Sequence, residues 1–210
     1  EVITNGFDIS ENSIRTPDKY FSIVHVGSLL SERNPTVLWK VLADIANENK
    51  LFANDLKIRL AGTVSKDILE SIQEQGLGEN CDVLGYVSHQ EAIQLQNNAQ
   101  LLLLVEIDRP ETKAIIPGKV FEYLAAKRPI LALGPRGSDV IDIINETKSG
   151  HYFSNDEELI LKEKIESFYS AFKKGSLTID SQNISKYSRR ELTLVMSNFI
   201  KKQLKRKIQT

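Results

Sequence analysis

The chain has 210 residues, enough for one well-buried core with additions at its ends. Its 27 basic and 28 acidic residues nearly cancel, which excludes a general nucleic-acid surface. Hydrophobic residues make up 41 %, yet no run approaches the roughly 18 apolar residues of a membrane span, and the lone Cys81 excludes an internal disulfide and fits a reducing compartment.

The chain opens at Glu1 without methionine or a basic–apolar leader, as expected for a piece of a longer, non-secreted protein. Residues 1–19, polar and holding Pro17, read as a connector. Phe21–Val26 reads as a strand and Pro35–Asn49 as a helix with Asn34 as its N-cap. Leu56–Leu60 is the next strand, followed by a helix over Lys66–Gln75 that stops at Gly76. Asp82–Leu84 is a short strand, and Ser88 caps a helix reaching Asn97. Leu101–Val105 is apolar at every position, as a strand covered on both faces of a parallel sheet requires. A helix opening at Gly118 stops before Pro129 and feeds the strand Ile130–Leu133, with a further helix over Ser138–Glu146. Strand–helix units in series predict an α/β fold with a doubly wound parallel, Rossmann-like sheet over residues 20–180. Residues 181–210 form a C-terminal segment with an amphipathic helix over 185–208, apolar at Leu192, Val195, Met196, Phe199, Ile200 and Leu204. Its last turns carry Lys201, Lys202, Lys205, Arg206 and Lys207, which complement the helix dipole or meet a membrane surface.

In a doubly wound sheet, ligands bind outside the carboxyl ends of the strands. The loop after the first strand, Val26-Gly27-Ser28-Leu29-Leu30-Ser31-Glu32-Arg33-Asn34, has one glycine where a dinucleotide turn needs three, and no P-loop occurs. It offers Arg33 ahead of a helix, where a guanidinium can fork onto phosphate oxygens. Gly62-Thr63 and Gly85-Tyr86-Val87 end the next two strands on the same edge. Pro117-Gly118-Lys119-Val120 opens a helix whose N–H groups and dipole favour an anion. Glu122 lies on the flank of that helix and leans back toward Gly118, a placement suited to ribose hydroxyls or to a surface ion pair with Lys119. Each feature alone is ordinary; four strand ends converging on glycines, one arginine and one carboxylate point to a shared crevice. His25, His89 and His151 lack metal-ligand spacing, His25 reading as a core or crevice residue. Asp108 and Glu111 sit in a polar loop long enough to close over a ligand.

With these motifs in this order, most of the chain resembles the C-terminal, donor-binding domain of GT-B retaining glycosyltransferases of the family-4 group (glycosyl transferases group 1). Asn5-Gly6-Phe7-Asp8 resembles its interdomain N-G-x-D stretch, and Gly27 to Asn34 its G-R-L-x-x-x-K-G loop, with Arg33 at the lysine position and Ser28 at the arginine position. Leu60-Ala61-Gly62-Thr63 and Val83-Leu84-Gly85-Tyr86-Val87 resemble its strand ends near the nucleobase. Gly118 to Ala125 resembles the helix whose glutamate, here Glu122, binds ribose, while Ala114 stands where a first glutamate is common.

The resemblance implies sugar transfer from a nucleotide diphosphate sugar with retention. Arg33 would be catalytic, and Gly27, Ser28, Gly62, Thr63, Tyr86, Val87, Pro117, Gly118, Lys119, Val120 and Glu122 would bind the donor. It implies no metal or other cofactor. Acceptor recognition would fall to an N-terminal domain outside this chain, to which the last helix would cross. The location expected is the cytoplasm, with peripheral membrane contact of the full-length protein. Ser28 and Ala114 keep open a non-catalytic binding module of the same fold.

Overall fold

The computed structural model describes residues 2–8 and 16–208, with only the backbone over 205–208. The centre of the connector, residues 9–15, and the side chains of Lys205, Arg206 and Lys207 lie outside the described residues.

Six parallel strands form one sheet: β1 (Phe21–Val26), β2 (Leu56–Ala61), β3 (Cys81–Gly85), β4 (Leu101–Val105), β5 (Ile130–Leu133) and β6 (Gly150–Phe153). Their order is β3-β2-β1-β4-β5-β6, so the winding reverses between β1 and β4, which pair in parallel through Ile23–Leu101 and Val24–Leu102. A ligand crevice is expected at that reversal.

Among the described residues the helices are α1 (Thr36–Glu48), α2 (Lys50–Asp55), α3 (Lys66–Glu74), α4 (His89–Asn98), α5 (Lys119–Ala126), α6 (Asp139–Thr147) and α7 (Glu158–Lys173), which flank the sheet, and α8 (Arg189–Ile208), which follows them. The period-2 geometry of a strand divides the core. Leu101, Leu103 and Val105 join Phe21, Trp39, Phe52, Ile165 and Tyr169 on one face, while Leu102 and Leu104 join Val120, Phe121, Tyr123 and Ile144 on the other.

Four local readings change. Asn34 does not cap α1: Pro35 is the N-cap, and the Asn34 amide accepts from Trp39 Nε1 at 2.9 Å and donates to Ser71 at 2.9 Å. Asn49 ends α1 where expected and caps a further helix, α2, that the sequence reading did not include, its side chain accepting from the Leu51 and Phe52 N–H groups. β6 and α7 also escaped the sequence reading. β6 spans only four residues and starts at Gly150, where a Cβ would stand 2.0 Å from the Ile130 carbonyl oxygen. Helix α8 begins at Arg189, after a 3-10 turn over Ile184–Tyr187, and not at 185.

Beyond Leu192 the apolar face of α8 is exposed among the described residues: Met196 is 48 % exposed, Ile200 50 % and Leu204 56 %. The start of α8 does have a partner, because residues Asn5 to Asp8 lie beside it. The Phe7 N–H donates to the Tyr187 carbonyl at 3.1 Å, and the Arg189 N–H to the Phe7 carbonyl at 2.9 Å. No described helix is long and apolar enough to cross a membrane.

Candidate functional site

At the carboxyl ends of β1, β2 and β3 the chain turns each time on a glycine in the left-handed region: Gly27 (φ +117°), Gly62 (φ +119°) and Gly85 (φ +64°). The loops are stitched together, Gly27 N–H donating to the Ala61 carbonyl and Gly62 N–H to the Gly85 carbonyl, both at 2.7 Å. A Cβ at Gly62 would stand 2.5 Å from the Gly27 carbonyl oxygen. The glycines therefore let three loops press together and leave a shallow floor. Ser28, Thr63 and Tyr86 are exposed at its rim, Tyr86 at 96 %, and Val87 is half-buried.

Two cations face this floor. Lys119, the first residue of α5, places Nζ 3.1 Å from Nε2 of His25, and a Cβ on Gly27 would stand 2.7 Å from that ammonium. His25 is buried in β1 with Nδ1 3.0 Å from the Leu103 carbonyl oxygen. Burial first, then the neighbouring Lys119 charge, pushes the imidazole down to about 3 and keeps it neutral. Burial and the Arg33 guanidinium bring Lys119 down to about 8, against a smaller opposing pull from Glu122. Arg33 closes the 3-10 turn Ser31–Arg33, half-buried, and pairs with no carboxylate among the described residues.

Arg33 also lines a cleft of about 160 Å³ with Glu106, Gly134 and Asn155. Glu106 was not singled out from the sequence, although an acid directly after an all-apolar strand is a signal. It is buried at the β4 end and accepts from Ser138 Oγ at 2.8 Å, while burial raises its carboxyl above the usual range. This bond ties Glu106 to the N-cap of α6. The loop after β4 folds back over Arg33: Arg109 pairs with Glu32 at 2.6 Å, and Asn155 donates to Asp108 at 2.6 Å. Glu111 and Ala114 are exposed on that loop.

Gly118 is the N-cap of α5 but holds ordinary helical angles (φ −54°, ψ −28°), so no left-handed glycine turn opens this helix. What its missing side chain provides is room beside Asn5, whose Nδ2 would lie 3.3 Å from a Cβ there. Val120 N–H donates to the Pro117 carbonyl and Phe121 N–H to the Gly118 carbonyl, while the Gly118 and Lys119 N–H groups have no acceptor among the described residues. Glu122 does not pair with Lys119; it accepts from Gln96 Nε2 at 3.1 Å. Gly118 and Glu122 line a second cleft, of about 420 Å³, with His89, Gln96 and Asn97 of α4 and the stretch from Asn5 to Asp8. Gln96 and Asn97 are buried amides in a helix whose capping box, built by Ser88 and Glu91, matches the sequence reading of its start. Thus Arg33 lines the small, charged cleft, Gly118 and Glu122 line the roomier one, and Lys119 follows Gly118 in the chain with its ammonium above Gly27. A doubly charged anion over Gly27, attached to a hydroxylated group beside Glu122, fits this distribution.

The family model described as glycosyl transferases group 1 matches residues 7–190. Comparison with curated proteins finds no match. Among solved structures, HepE from Anabaena in complex with UDP superposes with a TM-score of 0.67 at 16% identity, covering 96% of this chain and 57% of that one. A glycosyltransferase from Rickettsia africae gives 0.64 at 17% identity, over 90% and 49%. A mutant of TarM from S. aureus, in a complex that includes UDP, gives 0.62 at 19% identity, over 94% and 38%. The chain thus spans about half or less of the length of such proteins.

Proposed function

Because this chain belongs to the glycosyl transferases group 1 family, we propose that it is the donor half of a retaining, nucleotide-sugar-dependent glycosyltransferase. The observation that carries this reading is the pair of neighbouring cations, Arg33 and Lys119, neither in an ion pair with a carboxylate among the described residues. Transfer separates a nucleoside diphosphate from the sugar, and charge builds on the departing phosphate oxygens. Arg33 stabilises that charge, the open N–H groups of Gly118 and Lys119 add donors, and Glu122 accepts from the ribose hydroxyls. Preorganised cations and N–H groups can neutralise the leaving group without a metal, so no cofactor enters this mechanism.

Structures of HepE hold UDP, and in one case UDP with glucose. By analogy, the nucleoside lies toward the α4–α5 cleft and the sugar toward the Arg33 cleft. Residues 1–19 connect to an acceptor-binding domain that precedes this chain, and the exposed face of α8 packs on that domain. The full-length protein works in the cytoplasm, with Lys201 and Lys202 facing an anionic membrane surface.

Calorimetric titration with UDP, GDP and ADP tests the reading, and turnover of the full-length protein with a panel of nucleotide sugars tests the activity. Arg33→Ala is expected to weaken diphosphate binding by about 1.5–3 kcal/mol, the range for hydrogen bonds to charged groups, and to leave nucleoside binding unchanged. Equal loss for both would make Arg33 structural. Ser28 and Ala114, both exposed and without charge, favour a second reading, a binding module that lost the chemistry. Binding without turnover in the full-length protein would select it.

A further inference from the structure

We propose that Lys119 is the second diphosphate-binding cation beside Arg33, and that His25 is the positioning residue that aims it; this rests on the donor-binding reading above. The argument begins with the tautomer. The Leu103 carbonyl can only accept, so the His25 nitrogen 3.0 Å from it, Nδ1, must carry the proton. Nε2 is then a lone pair, and the Lys119 ammonium donates to it at 3.1 Å. A protonated His25 would set two cations face to face in a buried place, so the imidazole stays a neutral acceptor.

His25 is fixed in the central strand, and Lys119 is anchored at the first residue of α5. The hydrogen bond between them therefore holds the ammonium at one point above Gly27, where the absence of a Cβ leaves room for it. An ammonium has three donors, and His25 takes one. Two remain, beside a guanidinium that repels the lysine. The charged groups around Lys119 are Arg33 from the turn after β1 and Glu122 on α5, with His25 neutral beneath. Repulsion between two held cations is relieved by one anion that touches both, and a diphosphate carries charge on two adjacent centres.

The test uses the 210-residue chain and calorimetry with UDP, GDP and ADP against the matching nucleosides. Lys119→Met is expected to lose roughly tenfold or more in diphosphate affinity and nothing for the nucleoside. The parent should lose diphosphate affinity as pH rises past about 8, where Lys119 gives up its proton. Lys119→Arg should keep its affinity through that range, because guanidinium stays charged.

His25→Leu should weaken diphosphate binding by itself and add nothing on top of Lys119→Met, since it acts only through the lysine. Should His25→Leu fail to fold by circular dichroism, His25→Gln, which keeps an acceptor, takes its place and should retain most affinity. The proposal is overturned if Lys119→Met weakens diphosphate and nucleoside alike, or if the parent and Lys119→Arg share one pH profile. It is also overturned for His25 if the double variant shows additive losses. Diphosphate binding by the parent that Lys119→Met leaves intact would sink this proposal alone; no binding of any diphosphate would sink the donor-binding reading with it.

Discussion

Gln96 donates to the Glu122 carboxylate at 3.1 Å, which sets what a ribose must do to bind there. A carboxylate can accept several hydrogen bonds, so a ribose can share Glu122 with Gln96 without displacing it. Glu122→Gln leaves one amide oxygen where two charged acceptors stood, and its NH₂ would face the Gln96 amide. We expect an intact fold, weaker nucleotide binding, and a smaller penalty for a 2′-deoxyribose nucleotide than in the parent, read by calorimetry. Identical ribose preference in both proteins would remove Glu122 from the site. Gly62 is a different kind of residue, needed for packing. Gly62→Ala would combine a positive φ with a Cβ 2.5 Å from backbone, so a loss above the roughly 1–3 kcal/mol of backbone strain is expected in urea unfolding.

At the scale of elements, the same substitution should have a large consequence on one helix and almost none on another. Ile144 of α6 is fully buried against the sheet, and Ile144→Ala should destabilise by about 2–5 kcal/mol. Ile200 of α8 is 50 % exposed, and Ile200→Ala should stay within about 0.5 kcal/mol in the isolated chain. Thermal or urea unfolding of both variants checks the contrast. A large loss at Ile200 would mean that its face is covered in solution, by a second copy or by the chain itself. The helical spacing of apolar residues in α8 was visible in the sequence, and the structure leaves that face exposed among the described residues.

The whole molecule carries a pH dependence through His25. An ordinary imidazole titrates near 6.5, and here burial holds it near 3. The folded pKa lies below the unfolded one, so the unfolded chain takes up the proton first as pH falls. Stability contributed by the neutral imidazole is complete above about 6.5 and is lost progressively between 6.5 and 3. Urea midpoints at about pH 7.5, 5.5 and 4.5 should decline in the parent and decline less steeply in His25→Leu. Parallel declines would place the acid sensitivity elsewhere.

Much of this protein was legible in its sequence because the signals were local. The uninterrupted apolar run Leu101–Val105 required a strand covered on both faces, Ser88 marked a helix start, and strand–helix alternation required a parallel sheet. The motif order also named the family. What remained hidden depends on contacts between distant segments. Asn34 looked like a helix cap until Trp39 and Ser71 claimed its amide. β6, Gly-His-Tyr-Phe and mostly half-buried, lacks the apolar run that marked the equally short β5, and it pairs along the edge that β5 offers. The meeting of His25, Lys119 and Arg33 brings together residues up to 94 positions apart. No spacing rule predicts that pairing; the reversal of winding between β1 and β4 creates it, by carrying the start of α5 over the end of β1.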